Sequence, residues 1–82
     1  MSSDVLNEIH DYLRAEFAPE REQFSPGENL LAQGIIDSLG ILKLVTHLEE
    51  RYGFEAADDD LVPENFTTLE MIRDFVERKR KK

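Results

Sequence analysis

The chain has no cysteine, which excludes both a disulfide framework and a thiolate metal site. It also lacks long apolar runs. No stretch approaches the roughly 20 residues needed to cross a bilayer, and Met1-Ser2-Ser3-Asp4 has no basic patch leading into an apolar segment, as a secretory signal would. A soluble cytoplasmic protein is expected. Basic residues are scarce over most of the length: residues 1–77 carry five Lys and Arg against eighteen Asp and Glu, a balance of −13 within a whole-chain charge of −8. So acidic a body repels nucleic-acid phosphates and is steered toward basic protein surfaces. The other five bases form the tail, Arg78-Lys79-Arg80-Lys81-Lys82, which is expected to solvate a helix end. Neither nucleic acid nor membrane is an expected partner.

What is present suits a small folded domain. With 82 residues, of which 40% are hydrophobic, a single domain over 1–82 is predicted. A domain of this size buries only about 60–65% of its unfolded surface, enough for a modest core but not for a deep catalytic pocket. Apolar residues recur at helical spacing in three stretches. The first contains Val5, Leu6, Ile9, Leu13 and Phe17, with Ser3 as N-cap, Asp4 in the first turn and Pro19 as the stop. The second contains Leu42, Val45, Leu48 and Tyr52, widened by Ile41 and Leu44, and ends at Gly53, a left-handed C-terminal position. The third contains Leu69, Ile72, Phe75 and Val76. For it, Thr67-Thr68-Leu69-Glu70 predicts a capping box with Thr67 as N-cap, and Phe66 and Met71 as a hydrophobic staple. The fold class is therefore all-α.

Residues 18–36 form a long connection with a Ser25-Pro26-Gly27 turn. Leu30, Leu31, Ile35 and Ile36 are expected to pin it over the bundle. Residues 54–66, with Asp58-Asp59-Asp60, are expected to add one short helical turn. That acidic run resembles half of a calcium loop, but the required Gly and closing Glu are missing, and no metal site is predicted.

Gly34-Ile35-Ile36-Asp37-Ser38-Leu39-Gly40 is the segment that carries chemistry. With Asp37 as N-cap, and Ile36 and Ile41 as its staple, Ser38 takes the first helical position. There its hydroxyl lies at the positive end of the helix, where free N–H groups favour an anion. Asp37 offers a carboxylate to the magnesium that accompanies a phosphoryl donor. Ile35, Ile36 and Leu39 leave an oily rim. The same Asp-Ser pair also serves many helices simply as a cap.

Asp37-Ser38-Leu39, preceded by Gly34 and followed by the Leu42, Leu44, Val45 and Leu48 stripe, resembles the phosphopantetheine attachment motif of acyl and peptidyl carrier proteins. The similarity also takes in Asn29-Leu30-Leu31, Glu49-Glu50-Arg51-Tyr52-Gly53 and Phe66-Thr67-Thr68. The resemblance implies an acyl-carrier-like bundle of three main helices plus one short one, after a long first loop. It further implies 4′-phosphopantetheine, covalently attached to Ser38 by a phosphopantetheinyl transferase, with Asp37 and Leu39 beside it. Acyl or aminoacyl groups would be loaded by an activating ligase and passed to downstream acyl-transfer enzymes. Such a chain is a carried substrate and not an enzyme, and it works as a monomer. Its thiol is imported, in keeping with the absence of cysteine. The Asp58 to Phe66 stretch, ending Pro63-Glu64-Asn65-Phe66-Thr67, looks more like free-standing carriers of specialised lipid or secondary-metabolite pathways, including aminoacyl and D-alanyl carriers, than like the general fatty-acid carrier.

On this reading the helix after Ser38 is the face that partners meet, and Gly40, Lys43, Thr46, His47, Glu49 and Glu50 are expected to point outward. His10 and His47 are expected to be ordinary exposed histidines. A serine hydrolase is excluded, because Ile36 stands where a nucleophile elbow needs Gly and the chain is too short for the sheet. An acidic helical adaptor that binds a basic partner and is never modified fits size, charge and periodicity equally well.

Overall fold

The computed structural model describes the backbone of residues 2–80 and the side chains of residues 5–80. Three helices carry the fold: α1 (Ser2–Phe17), α2 (Ser38–Tyr52) and α3 (Leu69–Arg80). No strand occurs among the described residues. In place of one short helix, two single 3₁₀ turns lie between α2 and α3, at Asp58–Asp60 and Pro63–Asn65. Pro63 opens the second of them, where its missing N–H costs nothing.

Each helix buries one stripe. Val5, Ile9 and Leu13 come from α1, Ile41, Leu44, Val45 and Leu48 from α2, and Leu69, Ile72, Phe75 and Val76 from α3. Phe66 and Phe75 meet edge to face with centroids 5.2 Å apart, and Phe54 adds a third ring at 5.8 Å. Leu42 was expected in this core, but it is exposed. The inward stripe of α2 runs 41, 44, 45, 48, the spacing of a single helical face, and Leu42 lies beside it.

α1 begins at Ser2, one residue ahead of the predicted cap at Ser3. The side chains of Ser3 and Asp4 lie outside the described residues. The cap of α3 is also shifted. Thr68, not Thr67, accepts the Met71 N–H at 3.1 Å, while the Thr67 hydroxyl donates to the Pro63 carbonyl. Phe66 is fully buried whereas Met71 is largely exposed, so the staple does not form. Burying a whole phenylalanine outweighs a local helix-end contact.

Residues 18–37 carry turns but no helix. Leu30 and Ile36 are buried, and Leu31 and Ile35 are half-buried against the core. The Leu30 N–H donates to the Thr67 carbonyl at 2.7 Å and the Glu70 N–H to the Pro26 carbonyl at 3.2 Å, which stitches the segment to the start of α3. From the other side, α1 supplies His10 and Arg14. His10 is not an ordinary surface histidine. Its Nε2 accepts the Phe24 N–H at 3.0 Å and its ring packs edge-on against Phe24. Arg14 donates to the Arg21 carbonyl, and Arg21 forms a two-pronged pair with Glu28 at 2.7 and 3.1 Å.

The described part of the basic tail is the last turn of α3, and its side chains reach the body instead of merely solvating the helix end. Lys79 pairs with Asp60 at 2.8 Å, Arg78 reaches Asn65 at 3.4 Å, and the Arg80 guanidinium lies 5.2 Å from the Tyr52 ring centroid. Lys81 and Lys82 lie outside the described residues.

Candidate functional site

The first turn of α2 is built by its own sequence. Gly34 adopts φ 76°, the left-handed conformation that only glycine takes up without strain, and this turns the chain so that Ile35 and Ile36 approach α2. Asp37 is extended (φ −121°, ψ −172°), and its Oδ1 accepts the Gly40 N–H at 2.8 Å. Its carbonyl accepts the Ile41 N–H at 2.9 Å. The predicted cap is thus in place, and Ile36 and Ile41 on either side of it are both buried.

Ser38 is therefore the first helical residue, and it is exposed. Among the described residues nothing accepts the N–H groups of Ser38 and Leu39. These orphan donors give the end of α2 its positive character. Leu39 is 77% exposed and Leu42, one turn on, is 50% exposed. A hydroxyl, two free N–H groups and an apolar step thus share one surface. No group of three or more His, Asp or Glu able to hold a metal occurs among the described residues.

The other side of the turn departs from expectation. Gly40, Lys43 and His47 were expected to point outward; Lys43 is exposed, but Gly40 is buried and His47 is half-buried against α1. Gly40 is buried under Phe17. Lys43 pairs with Glu16 at 2.7 Å, its Nζ 5.9 Å from the Phe17 ring centroid. That hydrogen bond, with the charge of Glu16, holds the Lys43 ammonium above its ordinary pKa. His47 stacks flat on Tyr12, with centroids 3.8 Å apart and planes 7° apart. Burial there, reinforced by the nearby Glu16 charge, raises the Tyr12 pKa. Positions 40, 43 and 47 form one helical stripe, along which Phe17, Glu16 and Tyr12 of α1 meet Gly40, Lys43 and His47. A shallow groove of about 390 Å³ remains along this seam, lined by Tyr12, Lys43, Thr46, His47 and Glu50.

Of the remaining expected contact residues, Thr46 and Glu50 are exposed, with the Thr46 hydroxyl donating to the Leu42 carbonyl. Glu49 is half-buried, and its carboxylate accepts the Ala56 N–H at 2.8 Å. The role of Tyr12, Glu16 and Phe17 was not legible in the sequence. Phe17 read only as the end of a core stripe, and nothing marked Glu16 as the partner of Lys43.

Residues 3–76 match the family described as the phosphopantetheine attachment site. The chain belongs to that family. It is a phosphopantetheine carrier, and 4′-phosphopantetheine is its prosthetic group. Domains of this kind carry and do not catalyse. No curated protein matches the chain.

Proposed function

We propose that Ser38 bears the 4′-phosphopantetheine, and that a separate phosphopantetheinyl transferase loads it from coenzyme A. The observation that carries this reading is the exposed Ser38 hydroxyl on the first turn of α2, beside the capping Asp37. In the loading step the Ser38 oxygen forms a new bond to phosphorus while the phosphoanhydride bond of coenzyme A breaks. The nucleotide portion departs, and the serine proton passes to a base on the transferase. Asp37 is bound to the Gly40 N–H and holds the turn; one of its oxygens remains free to face magnesium. The Ser38 and Leu39 N–H groups would help hold the negative charge of the attached phosphate. When bound, the prosthetic group supplies a thiol that carries acyl or aminoacyl cargo as thioesters.

The carrier is proposed to work as a monomer in the cytoplasm. An activating ligase and acyl-transfer enzymes of a specialised lipid or secondary-metabolite pathway would be its partners. α2 has no acidic residue in its first turn, and its exposed steps there are Leu39 and Leu42. That surface suits dedicated partners with an apolar contact better than a general synthase that reads carboxylates.

Intact-mass measurement after incubation with coenzyme A, magnesium and a broad-specificity transferase tests the reading. One phosphopantetheine should be gained by the wild type and none by Ser38→Ala, which should melt as the wild type does. No gain by the wild type with several transferases would leave the unmodified acidic adaptor as the better reading.

A further inference from the structure

Gly40 is a glycine without a conformational reason. The glycines with positive φ are Gly34 and Gly53, so Gly40 has an ordinary helical backbone. A glycine there weakens the helix relative to alanine. The reason is space. A β-carbon at position 40 would lie 3.1 Å from Phe17 Cε1, 3.2 Å from Asp37 Oδ1 and 3.3 Å from Ile36 Cγ2. The Phe17 ring fills the room that a side chain would need.

Phe17 is well placed to hold something still. It is the last residue of α1. The Tyr12 ring meets it edge-on at 6.3 Å and the Lys43 ammonium lies over it at 5.9 Å. Gly40 is in turn joined to the cap by its N–H bond to Asp37. Between Phe17 and the cap residue Asp37 the chain runs through residues 18–36, whose backbone bonds to other elements include those of Leu30 and Pro26 to the start of α3, and none of which reaches α2. The Phe17–Gly40 contact is thus a direct link from the end of α1 to the turn that displays the serine.

We propose that Phe17 is a positioning residue for Ser38: seated on the bare α-carbon of Gly40, its ring fixes the first turn of α2, and with it the Ser38 hydroxyl, against the end of α1. This rests on Ser38 being the loaded residue. An in-line transfer is sensitive to where the attacking oxygen sits, and an error near 1 Å can cost about a hundredfold in rate. A methyl at position 40 would shift its neighbours by a few tenths of an ångström. The expected loss is therefore about three- to tenfold. It should fall on kcat more than on KM for the carrier, because the Leu39 and Leu42 surface is untouched.

The test compares wild type, Gly40→Ala, Phe17→Leu and the double variant. Loading kinetics with coenzyme A and one transferase are measured, together with thermal melts and exchange of the bonded Gly40 and Ile41 amides of the unloaded protein. Gly40→Ala should load more slowly and exchange faster in that turn without melting lower, since alanine is the better helix former. Phe17→Leu alone should speed exchange in the turn. The double variant should recover most of the loading rate, because leucine leaves room for the methyl. Equal loading and equal exchange for wild type and Gly40→Ala would overturn the proposal while leaving Ser38 as the loaded residue. A loading loss that simply tracks a lower melting temperature, with no recovery in the double variant, would also overturn it. A wild type that is not loaded at all would remove the Ser38 reading and this proposal together.

Discussion

Lys43 and Glu16 stand 2.7 Å apart, and this pair ties the only lysine of α2, which stays exposed, to α1. From the sequence, Lys43 reads as an outward-pointing residue of the partner face. In the fold its charge is matched from within the chain. Lys43→Glu would set two carboxylates against each other across the seam. It should lower the melting temperature, less so in high salt, and Glu16→Lys in the same chain should restore it. The single variant should also gain nothing in competition for a general synthase's ketosynthase. Melts at two salt concentrations and that competition check both points.

A second expectation concerns residues 57–66. Asp60 Oδ2 takes both the Ala57 N–H and the Lys79 ammonium, and the Asp60 carbonyl takes the Asn65 amide. Arg78 reaches the other end of that amide. Lys79→Ala should therefore accelerate amide exchange through 57–66 while leaving the first turn of α2 unchanged. Uniform acceleration over the whole chain would mean that the pair supports global stability and does not clamp this segment.

Acid should weaken the far end of the bundle selectively. The Tyr52 hydroxyl donates to Glu8, and Arg51 pairs with Glu8 at 2.9 Å. The tyrosine bond first, and then Arg51, hold the Glu8 carboxyl below its ordinary value of 4.5. A depressed carboxyl contributes stability that is full above the unfolded value and lost as pH falls through the folded one. The melting-temperature gap between wild type and Glu8→Gln should thus be full above the ordinary carboxyl value of 4.5 and shrink as the pH falls below it. Tyr52 has the opposite arm. Burial, then the bond to Glu8, push its pKa above the ordinary 10, so its share persists at neutral pH and fades as pH rises past 10. Melts of wild type, Glu8→Gln and Tyr52→Phe across pH check both arms.

Local signals were legible in the sequence, whereas tertiary choices were not. Asp37 caps α2 and Gly53 ends it with φ 73°, because both positions depend on near neighbours in the chain. The cap of α3 moved from Thr67 to Thr68 because two adjacent threonines offer the same hydroxyl, and the burial of Phe66 decides between them. The stripe at 40, 43 and 47 read as a solvated face because it is polar or small. Only the placement of α1 reveals Phe17, Glu16 and Tyr12 against it. Leu42 misled in the other direction, since a leucine in a helical stripe gives no sign of lying on its open edge.

Site mapping of the loaded protein by peptide fragmentation asks most directly whether Ser38 is the attachment point. The chain has four serines, Ser2, Ser3, Ser25 and Ser38. After incubation with coenzyme A and a transferase, the phosphopantetheine should be found on Ser38 alone, with the other three unmodified. Its appearance on Ser2, Ser3, Ser25 or a threonine, or its persistence in Ser38→Ala, would contradict the assignment.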